Sequence, residues 1–198
     1  MSGESKEAFM KRLVPIIVVA SLLAACENKP RTHEWAWEER FAEAIKDLSR
    51  ARTEEERFCY LGQAEKEALN VGKKEAALGF AKEQAKLMPK YKDNWNYGNA
   101  VQDVNIVFGR IALAEGRVKE AGEFLLKAGD TPGSPQLKSF GPNMMLAREL
   151  LERGERDVVV AYFEKCSRFW TMRGGKLKEW TRQVHSGEIP DFGANLVY

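Results

Sequence analysis

Two stretches of this chain lie over each other without a gap. FGRIALAEGRVKEAGEFLLKA, residues 108–128, matches LARELLERGERDVVVAYFEKC, residues 146–166, at an offset of 38. Arg110 falls on Arg148, Leu113 on Leu151, Gly116 on Gly154, Leu125 on Phe163 and Ala128 on Cys166. Each unit reads as helix, tight glycine turn, helix: the apolar residues recur at helical spacing, and glycine supplies the left-handed backbone that ends a helix. A weaker third copy, LGQAEKEALNVGKKEAALGFA over 61–81, turns at Gly72. A unit of this kind cannot bury its apolar stripe alone and must stack on a neighbour. The expected fold is therefore all-α, built of stacked antiparallel helical hairpins.

The rest of the chain agrees. Trp37, Phe41, Ala44, Ile45 and Leu48 make a first stripe at helical spacing. Thr53 before three glutamates reads as an N-cap with acids at the positive end of the helix dipole. Phe58, Leu61, Ala68 and Leu69 run to Gly72; Ala76, Ala77, Phe80, Ala81 and Leu87 run to Pro89. A polar, aromatic loop spans 90–99, and a connection rich in Gly and Pro spans 129–142. Asn143 is placed to cap the next helix, with Met144, Ala147, Leu150 and Leu151 inward. The last major helix is expected to carry Val159 to Trp170 and to end at Gly174-Gly175, before a short closing helix with Leu177, Trp180 and Val184. No stretch alternates with the period of a strand.

The repeated units resemble tetratricopeptide repeats: Gly109, Gly116, Ala121 and Ala128 fall on that family's small-residue positions. The resemblance covers 61–170 and implies an α-solenoid whose first helices line a groove for an extended peptide or a partner helix. That family's carboxylate clamp of Lys and Asn is missing here, where the matching positions are Asp103, Ile106, Val107, Gly141, Met144 and Met145. What remains is one arginine per repeat, Arg110 and Arg148. They either hold an acidic group of a partner or cover leucines and pair with glutamates of their own chain. The stretches TPGSPQLKSFGPN and PDFGANLVY also resemble a family of bacterial helical-repeat proteins.

At the amino terminus, Lys11-Arg12 precedes LVPIIVVASLL, residues 13–23, a run of signal-peptide length and too short to span a bilayer. Leu23-Ala24-Ala25-Cys26 resembles the lipobox of bacterial lipoproteins, which implies cleavage before Cys26, diacylglycerol on its thiol and acylation, palmitate for example, of the new amine. Several acyl chains give stable anchoring. The other reading is an ordinary signal peptide cleaved after Ala25. Met10 offers a cleaner start than Met1, because Glu4 and Glu7 otherwise lie among the leading basic residues. The expected organisation is a signal peptide over 1–25, a lipidated tether over 26–33 and a helical-repeat domain over 34–198. Glu27, where inner-membrane lipoproteins carry Asp, favours the periplasmic face of the outer membrane, with the inner membrane as the alternative.

The chemistry-bearing residues are few. Charged residues make up 30% of the chain yet leave a net charge of only +2, interleaved along it, which gives nucleic acid no basic stripe to bind. His33 and His185 have no second ligand at metal spacing, and neither HExxH nor CxxC occurs. Cys59 and Cys166 are open to pairing or to simple packing, Cys166 at a buried small-residue position. Ser134 and Ser139 have no base partner in sequence. No catalysis, cofactor or metal is expected. The main functional expectation is a membrane-anchored protein-interaction scaffold of the bacterial envelope, holding an envelope or secreted protein through Arg110 and Arg148. Tyr97, Asn99, Asn105 and Asn143 are further contact residues, near Trp95, Gln102 and Asp103. The alternative is a small-ligand receptor or enzyme with a polar pocket made from 95–105 and 132–143. A third reading is a structural protein that dimerises through its apolar tail, 189–198.

Overall fold

The computed structural model describes residues 33–172 and 174–197. The expected signal segment, Cys26 and the tether up to residue 32 lie outside the described residues. Nine α-helices and no strand occur among them: α1 His33–Arg50, α2 Glu54–Asn70, α3 Lys74–Leu87, α4 Tyr97–Ala114, α5 Val118–Gly129, α6 Pro135–Phe140, α7 Met145–Leu151, α8 Arg156–Cys166 and α9 Gly174–His185, then a 3-10 turn at Gly193–Leu196. The helices pack mainly on their sequence neighbours. Between hairpins, α2 touches α4, α4 touches α7, and α5 touches α8.

One turn is built three times. Gly72, Gly116 and Gly154 all have φ between 74° and 86°, where a Cβ is disfavoured. Each donates its N–H to the carbonyl three residues back (Leu69, Leu113, Leu151), and the next residue donates five back (Ala68, Ala112, Leu150). Lys73, Arg117 and Glu155 then enter the second helix with nearly identical dihedrals. Equal turns fix the register of the copies. Aligned on its glycine, the first hairpin places Lys66 on Arg110 and Arg148, Glu65 on Gly109 and Ala147, and Gln84 on Ala128 and Cys166. The match starting at Leu61 is out of step with this by a few residues.

Thr53 caps α2 as expected. Its hydroxyl accepts from the Glu56 N–H at 3.1 Å, and the Glu56 carboxylate accepts from the Thr53 N–H, a complete capping box. Three expectations are corrected. The 129–142 connection contains α6, begun by Ser134 accepting from the Leu137 N–H at 3.0 Å with Pro135 in the first turn. The start of α7 falls at Met145, because the Met144 N–H goes to the Asn195 carbonyl at 2.8 Å. The last major helix ends at Cys166 rather than at the glycine pair, and Gly174 opens α9 instead. Leaving the helix there lets Trp170 pack at a tilt against Trp180, 5.7 Å between ring centres.

The large core spans α4 to the tail. Trp180 packs on Phe163 and edge-on against Phe192, 4.9 Å away, around buried Leu125, Leu146, Leu150 and Tyr162. The tail, which the third reading makes an interface strand or a plug, is folded in: Phe192 and Asn195 are buried, and the Asn195 amide donates to the carbonyls of Phe140 and Pro142. Smaller clusters pair α1 with α2 (Ala44, Leu48, Leu61, Ala64) and α2 with α3 and α4 (Ala68, Ala77, Ala81, Val107).

Candidate ligand-binding site

A polar pocket of about 330 Å³ opens where α2, the start of α4 and α6 meet. From α2 come Cys59, Gly62, Gln63 and Lys66; from the α4 side, Asn96, Asn99, Gln102 and Asp103; from α6 and the turn after it, Gln136, Leu137, Phe140, Gly141 and Asn143. The sequence segments expected to build a pocket, 95–105 and 132–143, both line it. The α2 wall was not expected.

Its fixed feature is an ion pair. Lys66 Nζ lies 3.0 Å from Asp103 Oδ1, with both side chains mostly buried. Burial pushes the Asp103 carboxyl up from its ordinary value, and Lys66 opposes that. Gly62 gives the pair room: a Cβ there would stand 2.7 Å from Asp103 Oδ2 and make the carboxylate shift.

The amides around the pair hold one another in place. Asn99 donates to Asn96 Oδ1 at 2.8 Å and accepts from the Ser134 hydroxyl. Gln102 accepts from the Asn143 N–H at 2.9 Å, and its amide faces the Tyr162 hydroxyl, which donates to the Asn143 carbonyl. The Asn143 side chain accepts from the Met145 N–H at 2.9 Å, at the start of α7. Thr131 donates to the Gly98 carbonyl at 2.6 Å and pins the connection onto α4. The wall is thus preorganised by α4, α6 and α8 together.

Behind Asp103 lies the most anomalous residue of the molecule. Glu65 is fully buried, and neither carboxylate oxygen has a partner among the described residues. Burial, then the neighbouring Asp103, push its pKa well above the usual carboxyl range, with Lys66 opposing. Gln84, also fully buried, gives its amide N–H to the Phe58 carbonyl and leaves Oε1 unpaired.

The other candidates fall elsewhere. Arg110 is spoken for: it donates to Glu149 at 2.8 Å and to Asn70 at 2.9 Å. Asn70 in turn donates to Glu67, which accepts from Arg40 and Gln63, and Arg40 reaches the Val197 carbonyl. Arg110 therefore closes a polar chain from α1 to α7. Arg148 is exposed and pairs with Glu152 one turn on. Beside Arg110, a second cleft of about 340 Å³ is lined by Leu69, Leu113, Glu149, Glu152 and Arg153. Asn105 donates to the Val101 carbonyl of its own helix. Tyr97 is half-buried and outside the pocket wall, and Trp95 is exposed.

Cys59 and Cys166 are both free thiols. Burial, with Glu55 nearby, pushes Cys59 up, and burial pushes the fully enclosed Cys166 further. Among the described residues, no three His, Cys, Asp or Glu side chains gather as a metal site requires, and no helix is long and apolar enough to cross a membrane. His185 is exposed at the end of α9.

Sequence reasoning named Asn99, Gln102, Asp103 and Asn143 and missed Lys66, Glu65 and Gly62. The signal for Lys66 was present: counting six residues back from each turn glycine gives Lys66, Arg110 and Arg148. No protein-family model matches the chain, and no curated protein or solved structure matches it either.

Proposed function

We propose that this chain is a non-catalytic binding protein of the bacterial envelope: a stack of tetratricopeptide-like hairpins, lipid-anchored through Cys26, whose binding site is the polar pocket between α2, α4 and α6. The observation that carries the reading is the Lys66–Asp103 pair in the pocket wall, surrounded by amides already locked to one another. Concave sites with a few convergent polar groups on rigid elements are where small ligands bind. The repeat alignment adds support: each basic residue six positions before a turn glycine is drawn to a carboxylate; Lys66 does so on the wall of the amide-lined pocket and Arg110, with Glu149, on the wall of the second cleft.

The anchor rests on the amino-terminal sequence. A tether from 27 to 32 would reach at most ~22 Å if extended, which would hold the helical domain near the lipid surface. Mass spectrometry of the mature amino terminus tests this: a diacylglyceryl Cys26 is expected, and an unmodified Cys26 rejects the anchor. Membrane fractionation then separates the outer membrane, favoured by Glu27, from the inner.

A photo-crosslinking residue placed in cells at Gln63, an exposed position on the pocket wall, is expected to capture an occupant. The protein-scaffold reading keeps one supporting observation, the cleft beside Arg110 with exposed Glu152 and Arg153 on its rim. The same crosslinker at Arg153 tests it. Capture from Arg153 alone selects the scaffold over the pocket, and silence at both positions rejects both.

A further inference from the structure

We propose that the pocket takes a neutral polyhydroxy ligand, a single sugar ring or one sugar of a longer chain, recognised by Lys66 and Asp103 together. The proposal rests on the reading of this pocket as the binding site and goes beyond it in naming the ligand's chemistry.

The charge balance of the wall comes first. Among the described residues, Lys66 and Asp103 are its only formally charged side chains, of opposite sign and 3.0 Å apart. An anion that approaches Lys66 also meets Asp103, and a cation at Asp103 meets Lys66. A ligand with net charge therefore loses to one what it gains from the other and still sheds its hydration. A zwitterion matches both signs only by prising the pair apart. A hydroxyl needs neither concession, because it donates and accepts through the same oxygen. It uses the N–H groups that Lys66 does not give to Asp103 and the lone pairs that Asp103 does not give to Lys66.

The other groups fit the same ligand. Asn99 and Gln102 spend their amides on neighbours and serve as a rigid rim. Gln136 accepts from Asn99 at 3.4 Å and lines the pocket from an exposed position on α6. Leu137 and Phe140 from α6 add an apolar strip, which suits the C–H face of a sugar ring. The volume, about 330 Å³, lies at the low end of the about 300–1,000 Å³ typical of ligand pockets, right for one ring.

Cys59 supplies the readout, since it lines the pocket and is half-buried while Cys166 is fully enclosed. The full chain in detergent is alkylated with N-ethylmaleimide, and the rate is read on the Cys59 peptide. The probes are glucose and N-acetylglucosamine, with gluconate, glucosamine and glycine as anion, cation and zwitterion of similar or smaller size. A neutral sugar is expected to slow Cys59 alkylation several-fold, with half-protection on the order of 1–10 mM for so few contacting atoms. Gln136→Ala, at an exposed site, is expected to weaken protection with helicity by circular dichroism unchanged. Lys66→Met with Asp103→Leu is expected to abolish it. Equal or better protection by a charged or zwitterionic probe overturns the proposal, as does no protection by either sugar up to ~50 mM. If the Gln63 crosslinker nevertheless captures an occupant in cells, only the ligand class has failed and the pocket stands.

Discussion

Set side by side on their turn glycines, the first and third hairpins share a turn and differ in what they bury. Where α2 and α3 place Glu65 and Gln84, α7 and α8 place Ala147 and Cys166. Around the third hairpin, Phe163, Trp170, Trp180 and Phe192 interlock. Around the first, the Lys66–Asp103 pair, Glu65 and Gln84 stand where an apolar layer would serve stability better, two of them with unpaired atoms. Buried polar atoms without partners cost free energy, and a buried ion pair is a poor source of stability. One repeat framework is thus used in two ways: its carboxyl-terminal half is built round interlocked aromatic rings, although Trp170 Nε1 is also buried without a partner there, and its amino-terminal half buries a carboxyl, an amide and an ion pair beside a pocket.

If that division is right, the largest stability loss comes from the aromatic half. Trp180→Ala is expected to lower the unfolding free energy by about 3–5 kcal/mol, read from urea denaturation. A loss under about 1 kcal/mol would show that the aromatic cluster is not the anchor of the stack. On the polar side, Lys66→Met alone leaves the Asp103 carboxylate buried without its partner and is expected to cost about 3 kcal/mol. Adding Asp103→Leu is expected to recover most of that loss, because removing both charges removes the need for either. A double variant no better than the single one would mean that the pair itself stabilises the hairpin and would break the contrast.

Glu65 sharpens the comparison through pH. Its folded-state pKa is raised, so the folded protein keeps the proton that the unfolded chain releases. The contribution to stability is complete below the ordinary glutamate value near 4.3 and is lost as pH rises from there to the folded pKa, by about 1.4 kcal/mol per pH unit. Glu65→Gln keeps the shape and removes the titration. The variant is expected to melt close to the wild type at pH 4 and increasingly above it as pH rises from there to the folded pKa of Glu65. A difference in melting temperature that stays flat across that range would mean that Glu65 is not held neutral.

Much of this division was legible in the residues, and the illegible part has a physical cause. Helices and turns follow from local signals: Thr53 with Glu56, Gly72, Gly116 and Gly154 each act within a few residues. The pocket segments stood out as polar and aromatic. Lys66 and Glu65 did not, because a Glu-Lys run within AEKEAL reads as a solvated helix face until α4 is laid across it. The ends of α7 and α8 were also hidden, since they are set by distant partners, Asn195 for one and Trp180 against Trp170 for the other. Ser134-Pro135 did carry the local signal for α6 within its Gly- and Pro-rich surroundings.

The smallest predicted effects concern the two arginines that the sequence makes equivalent. Arg110 and Arg148 occupy the same position before their turn glycines, yet their neighbours differ. Arg110 has a following first helix, α7, to bridge to; it meets Glu149 there and Asn70 on α2, and it is largely covered. Among the described residues Arg148 has no further hairpin beside it, and it pairs with exposed Glu152 one turn on, at the end of its own helix. Arg110→Ala is therefore expected to cost about 1–2 kcal/mol, since Glu149, already pushed up by burial, loses its counter-charge. Arg148→Ala is expected to cost no more than about 0.5 kcal/mol, the scale of an exposed pair one turn apart. Urea denaturation of both variants in one buffer decides the matter. Equal losses would mean that position in the repeat, rather than the presence of a next helix, sets what the basic residue does. The assignment of Lys66 by the same counting from Gly72 would then need another explanation for its burial.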